Sequence, residues 1–193
     1  MVIYLNKPEY VRVNNKKIKI NSSYKTALKC QQVAMDNSIS DYERSLAIIY
    51  LLFGDEGLKE EDSYNQLLDL ALKFLSCGEE VKKNEKPDMD IIQDETLIEA
   101  SFMTDYGIDL NTQDLHWWTY MTYLKGLTDK SILNRIREIR NMDINEFKDA
   151  KTREKIRKAK EAFALKKETP TRIVTDDQER RANEFFEKTG IKR

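Results

Sequence analysis

The chain carries one histidine, His116, two cysteines, Cys30 and Cys77, three prolines and six glycines. Each scarcity excludes something. A zinc site built on Cys and His needs about four ligands in paired spacings, which this set cannot supply. Two distant cysteines make no disulfide framework, and a cytosolic protein with reduced thiols is the simplest reading. Nine glycines and prolines are too few for the turns of a sandwich or barrel, so an all-β fold is not expected. No apolar run approaches the 18 residues of a membrane span, and no basic stretch with an apolar segment follows Met1. G-x-S-x-G, P-loop and G-x-G-x-x-G motifs are all missing. No catalytic residue, metal ligand or cofactor is therefore assigned, and the chain is not expected to be an enzyme.

What remains is 40% apolar and 35% charged residues in a chain of 193. The first figure suffices for a core. The second exceeds the usual quarter and points to long solvated helix faces. One helical domain, or one domain plus a tail, is expected. The net charge of −1 conceals a split. Residues 1–129 hold 14 basic and 22 acidic side chains, whereas residues 130–193 hold 19 basic and 12 acidic. Head-to-tail contact between copies, or contact with an acidic partner, fits this asymmetry. So do two sets of well-solvated helices.

Residues 1–20 differ from the rest. Tyr10–Val13 and Ile18–Ile20 alternate apolar and polar side chains around Asn14-Asn15, which tolerates a tight turn, and this predicts a β-hairpin. Ser23 can cap a helix from about Tyr24 to Asp36. Ser40 and Glu43 form a capping box, opening a central helix that is apolar on every face and ends at Gly54. A further helix is expected from Glu61 to Ser76, with Leu67, Leu68, Ala71, Leu72 and Leu75 at helical spacing and Gly78 at a left-handed C-cap. Residues 79–90 are mostly charged and read as an internal linker. Asp90 then caps a helix over Ile91–Tyr106, ended by Gly107.

Both tryptophans stand together in Leu115-His116-Trp117-Trp118-Thr119-Tyr120, which opens a helix capped by Asn111 or Thr112. Neighbours on a helix point about 100° apart, so the two indoles cannot share a face. Trp117 can join Tyr120, Met121 and Leu124 in a core, while Trp118 must reach a second helix or a partner. Leu115, His116, Trp117, Trp118, Tyr120 and Leu124 are accordingly read as a structural core motif. A lone histidine beside tryptophans is more often a packed residue than a general base.

Asp129 is expected to cap a helix with Ile132, Ile136 and Ile139 inward and Arg135, Arg137 and Arg140 outward. A second capping box, Asp143 to Glu146, would start a long basic helix to about Lys167 with a narrow stripe of Phe147, Ile156, Ala159 and Phe163. Beyond it, residues 168–193 read as a flexible tether and a short helix bearing Phe185 and Phe186. Phe147, Ile156, Phe163, Phe185 and Phe186, with Arg153 and Arg157, form the candidate protein-binding set. The run 151–160 could instead contact nucleic-acid phosphates. However, the interleaved aromatics of single-strand binding are missing, so a protein-binding or solvated face is favoured.

Several of these segments occur in an ordered set. Ser23-Tyr24-Lys25-Thr26-Ala27-Leu28-Lys29 is followed by Phe74-Leu75-Ser76-Cys77-Gly78 and the charged linker. Phe102-Met103-Thr104-Asp105-Tyr106-Gly107-Ile108-Asp109-Leu110 leads to Leu115-His116-Trp117-Trp118. Gly126-Leu127 and a basic helix ending Phe163-Ala164-Leu165 close it. In this order the chain, over about residues 20–167, resembles the tail assembly chaperones of long-tailed phages (siphophages) infecting Gram-positive bacteria. Tyr120 stands where that family often has Phe. The resemblance implies a non-enzymatic, mostly helical protein of the host bacterial cytoplasm, absent from the finished virion. It would bind the phage tape measure protein while the tail tube polymerises, and would self-associate. The tail tube protein or a second chaperone form are further partners it implies; a membrane is not. The alternative is a nucleic-acid-binding regulator using the basic C-terminal helices.

Overall fold

The computed structural model of the chain describes residues 7–79 and 87–166. The fold is mainly α with a two-stranded N-terminal hairpin, as the patterning predicts. In chain order the elements are β1 (Tyr10–Val13), β2 (Lys16–Lys19), α1 (Tyr24–Met35), α2 (Asp41–Leu58), a 3-10 turn at Glu61–Ser63 and α3 (Tyr64–Leu75). They continue with α4 (Glu95–Tyr106), α5 (Trp117–Lys125), α6 (Ile132–Asn141), a second 3-10 turn at Ile144–Glu146 and α7 (Ala150–Ala162). The expected tether and helix over 168–193, with Phe185 and Phe186, lie outside the described residues, as does most of the 79–90 linker.

Asn14 and Asn15 both adopt positive φ, 48° and 62°, and close the hairpin with Val13 opposite Lys16. That is the mirror-image turn whose twist suits paired strands. The alternation puts Val11, Val13, Ile18 and Ile20 into the same core as the helices, which is how so short a ribbon becomes stable. Its tip is tied down by polar groups. The Asn14 amide donates to Ser63 Oγ at 2.9 Å, and Lys16 pairs with the buried Glu60.

The Ser40–Glu43 capping box forms in both directions. From it α2 runs through buried Leu46, Ile48, Ile49, Leu52 and Phe53. The regular helix breaks at Gly54, where a kink separates it from a short following turn. Gly54 sits at φ 62°, ψ −157°, a conformation costly for any side chain, and the last turn continues to Leu58. Tyr50 on this helix is exposed, so α2 is not buried on every side. On α3 the inward residues are Leu67, Ala71 and Phe74, while Leu72 faces solvent.

Three expected helix starts are displaced. Asp90 does accept from the N–H groups of Ile92 and Gln93, but this builds a turn, and α4 begins only at Glu95. Ser131, not Asp129, caps α6. Its inward face is Leu133 and Ile136, with Ile132 exposed and Ile139 half-buried. Asp143 accepts from Asn145 one residue short of a capping box, so only a 3-10 turn forms. Asp149 then caps α7, which stops at Ala162 rather than Lys167. At Asp90 and Asp143 the side chain accepts from the N–H two residues on, the local bond that competes with helix entry.

Candidate functional site

The tryptophan motif is the hub that joins three parts of the chain. Residues 115–117 pair antiparallel with residues 22–24: Tyr24 N donates to Leu115 O at 2.8 Å and Trp117 N to Ser22 O at 2.7 Å. Neither Asn111 nor Thr112 caps α5. The cap is His116 itself, whose Nδ1 accepts from the Trp118 N–H at 3.1 Å. That leaves Nε2, 3.2 Å from Pro8 O, as the protonated nitrogen. Burial, the larger influence, holds the imidazole below its ordinary pKa. Both ring nitrogens of His116 are thus engaged in backbone contacts.

The two indoles diverge as helix geometry demands, yet both reach the end of α3. Trp117 is fully buried and donates from Nε1 to Leu75 O at 2.9 Å. Trp118 is half-buried and donates to Phe74 O at 2.9 Å. These bonds engage carbonyls in the last turn of α3, where intrahelical partners run out; Phe74 O also accepts from Cys77 N at 3.1 Å. Tyr120 continues the aromatic column. It stacks on Trp117 (centroids 5.5 Å apart), on Tyr24 (4.9 Å) and on Phe102 (5.1 Å). Leu124 is buried beneath it, and Leu115 packs half-buried against the core.

The candidate protein-binding set lies elsewhere and is not one surface. Phe147 is half-buried in the extended segment before α7, so it is not part of that helix's stripe. Ile156 and Ala159 are half-buried on α7, and Phe163 is 39% exposed at its C-terminal end. Arg153 and Arg157 project into solvent, with Arg157 paired to Glu154 at 2.8 Å. None of the thirteen residues of α7 is buried among the described residues. The helix is basic on its outer face, with Lys151, Arg153, Lys155, Arg157 and Lys158 all exposed.

Among the described residues no three His, Cys, Asp or Glu side chains are grouped so as to hold a metal ion, and no helix is long and apolar enough to cross a membrane. A model of the family described as Bacteriophage Gp15 protein matches residues 6–165. The chain belongs to that phage protein family. The match runs from just before β1 to just past α7, so hairpin, tryptophan hub and exposed basic helix form one family unit. Residues 166–193 lie beyond it. Neither the curated proteins nor the solved structures gave a match.

An ion-pair cluster that the periodicity of apolar residues does not foreshadow lies at the start of α4. Arg140 was expected outward. Instead it turns in, with its side chain 10% exposed and Asp94 3% exposed. Its NH1 and NH2 each reach one Asp94 oxygen at 2.7 Å, and NH1 also donates to Asp88 O at 2.8 Å. Arg137 pairs with the Asp88 carboxylate at 3.1 Å. The hydrogen bonds to Asp94 hold the Arg140 guanidinium above its ordinary pKa. Asp88 belongs to the stretch read as a linker, so the far end of that stretch is anchored. The signal available in the sequence was the spacing Leu133, Ile136, Arg140, which puts Arg140 on the buried face.

Proposed function

We propose that this phage protein is a tail assembly chaperone that binds the tape measure protein and keeps it soluble during tail tube assembly. It would act in the host bacterial cytoplasm and be absent from the finished virion. Membership of a phage protein family supports the reading, as does the resemblance of the ordered motifs to those of such chaperones. The observation that carries it is α7, a capped helix with a narrow apolar edge, a basic outer face and no buried residue among those described. A client that is itself a long amphipathic helix can lay its apolar stripe along such an edge. Basic flanks would add encounter rate and selectivity for acidic client segments more than affinity.

The size of the surface sets the stoichiometry. Thirteen residues span about 20 Å and, at a helix width of about 10 Å, present roughly 200 Å², well short of the roughly 800 Å² per partner of a stable one-to-one interface. One copy would hold the client weakly, and many copies along it would hold it well through avidity. Self-association, by the basic C-terminal half of one copy meeting the acidic N-terminal half of the next, suits that arrangement.

The test is co-expression with the phage's tape measure protein, followed by pull-down and size-exclusion chromatography. A soluble complex is expected. Ile156→Asp with Phe163→Asp should abolish it, while Arg153→Glu with Arg157→Glu should weaken it mainly at low salt. Insoluble tape measure protein despite co-expression would sink the proposal. Binding to duplex DNA that falls steeply between roughly 50 and 200 mM salt would favour the nucleic-acid reading instead.

A further inference from the structure

The fasteners of α7 are polar and crowded at one end. Its main neighbours are α6 and the 3-10 turn at Ile144–Glu146, and none of its apolar side chains belongs to the hydrophobic core. At its C-terminal end Lys160 Nζ donates to Met142 O at 2.5 Å, and Arg140 Nε donates to Phe163 O at 2.6 Å. Just beyond, the Gln93 side chain brackets Lys166. It accepts from Lys166 N at 2.8 Å and donates to Lys166 O at 3.1 Å. At the other end Asp149 serves only the helix, accepting from Thr152 N and Oγ1 at 2.7 Å. Phe147 and Asp149, just before α7, are extended backbone.

From this asymmetry we propose that α7 is a clasp: it is closed onto the start of α4 by Arg140 and Gln93, and it opens as a unit about residues 147–149 without unfolding the core. Three physical points support the motion. Elements with few buried apolar contacts open at a small fraction of the global unfolding free energy. The bonds that hold the clasp end are to backbone groups that water can satisfy once exposed. The released helix keeps its own support, since Asp149 caps it and Glu154 pairs with Arg157 at 2.8 Å and Lys158 at 3.8 Å. A bare 13-residue helix would be marginal, but these local terms travel with it.

Opening frees the edge of Ile156, Ala159 and Phe163 that the closed state half-covers. Its use for client capture rests on the reading of α7 proposed above, whereas the opening itself does not. In its closed form the clasp shields the edge until a client competes for it, and Arg140 keeps its buried partner Asp94 when Phe163 leaves.

Native-state hydrogen exchange of the full-length protein tests this. Amides of residues 154–163 should exchange at least a hundredfold faster than those of α5, with a rate nearly independent of low denaturant. Gln93→Ala, at an exposed residue outside the core, removes two hydrogen bonds and should speed exchange in α7 by roughly tenfold, with α5 unchanged. Exchange of α7 and α5 at one common, denaturant-dependent rate would overturn the clasp, as would a Gln93→Ala protein with unaltered α7 exchange. Failure of the tape measure pull-down alongside fast local exchange would remove the chaperone reading and leave the clasp standing.

Discussion

Arg140 and Asp94 close a two-point ion pair, 2.7 Å at each contact, between α6 and the entry to α4. Both side chains are almost wholly out of water. A buried pair of this kind contributes little net stability against a well-packed apolar substitute, yet removing one partner strands the other charge. Arg140→Ala and Asp94→Asn should therefore each destabilise by about 3–5 kcal/mol. Arg140→Lys should recover little, because an ammonium cannot match the two-point geometry. Urea denaturation of the three variants checks this. Stability within about 1 kcal/mol of wild type for Asp94→Asn would contradict the stranded-charge account.

Trp117 and Trp118 should separate in mutagenesis despite their adjacency. Trp117→Ala opens a cavity beneath a fully buried indole and is expected to cost about 3–5 kcal/mol. Trp118→Ala should cost less, because Trp118 is only half-buried, though both lose a bond to the end of α3. The measurement is thermal melting of both single variants. Equal losses, or melts matching wild type, would refute the assignment of Trp117 to the core.

His116 gives stability a pH dependence with a definite sign. The folded state holds the imidazole neutral, because Nδ1 must accept from Trp118 N–H and burial disfavours charge. Its folded pKa lies below the ordinary value of about 6.5. The unfolded chain therefore binds the proton more readily, and stability rises with pH across the interval between the two values. The contribution is complete above about pH 7 and is lost as pH falls from there through the folded pKa. His116→Asn retains a capping acceptor without a titrating group. Denaturation midpoints between pH 7.5 and 5.5 should decline in the wild type and decline less in the variant. Parallel declines would show that other groups carry the effect.

Gly57 is buried in the last turn of α2 for want of room. A Cβ placed there would lie 2.6 Å from Phe53 Cβ and 3.2 Å from Ile49 Cγ2. Gly57→Ala should thus destabilise by roughly 1–3 kcal/mol through overpacking, reversing the gain that alanine normally brings to a helix. The measured sign of the change decides the point.

Much of this fold could be read from local pattern. The Asn14-Asn15 hairpin, the Ser23 cap, the Ser40–Glu43 box and the opposed directions of Trp117 and Trp118 all follow from chemistry within a few residues. Backbone sterics and 3.6-residue periodicity fix these before any distant segment is met. Tertiary structure decided the rest. Asp90, Asp129 and Asp143 each offered a plausible helix start, and only packing chose among the competing local bonds. His116 became a cap because residues 22–24 pair with 115–117 from ninety positions away. Arg140, a surface residue by type, turns inward onto the buried Asp94, where a lone carboxylate would be far costlier than a pair. Charge and hydrophobicity are properties of single residues, so sequence displays them directly. Which charge must be compensated, and by whom, is a property of the place to which the chain has folded.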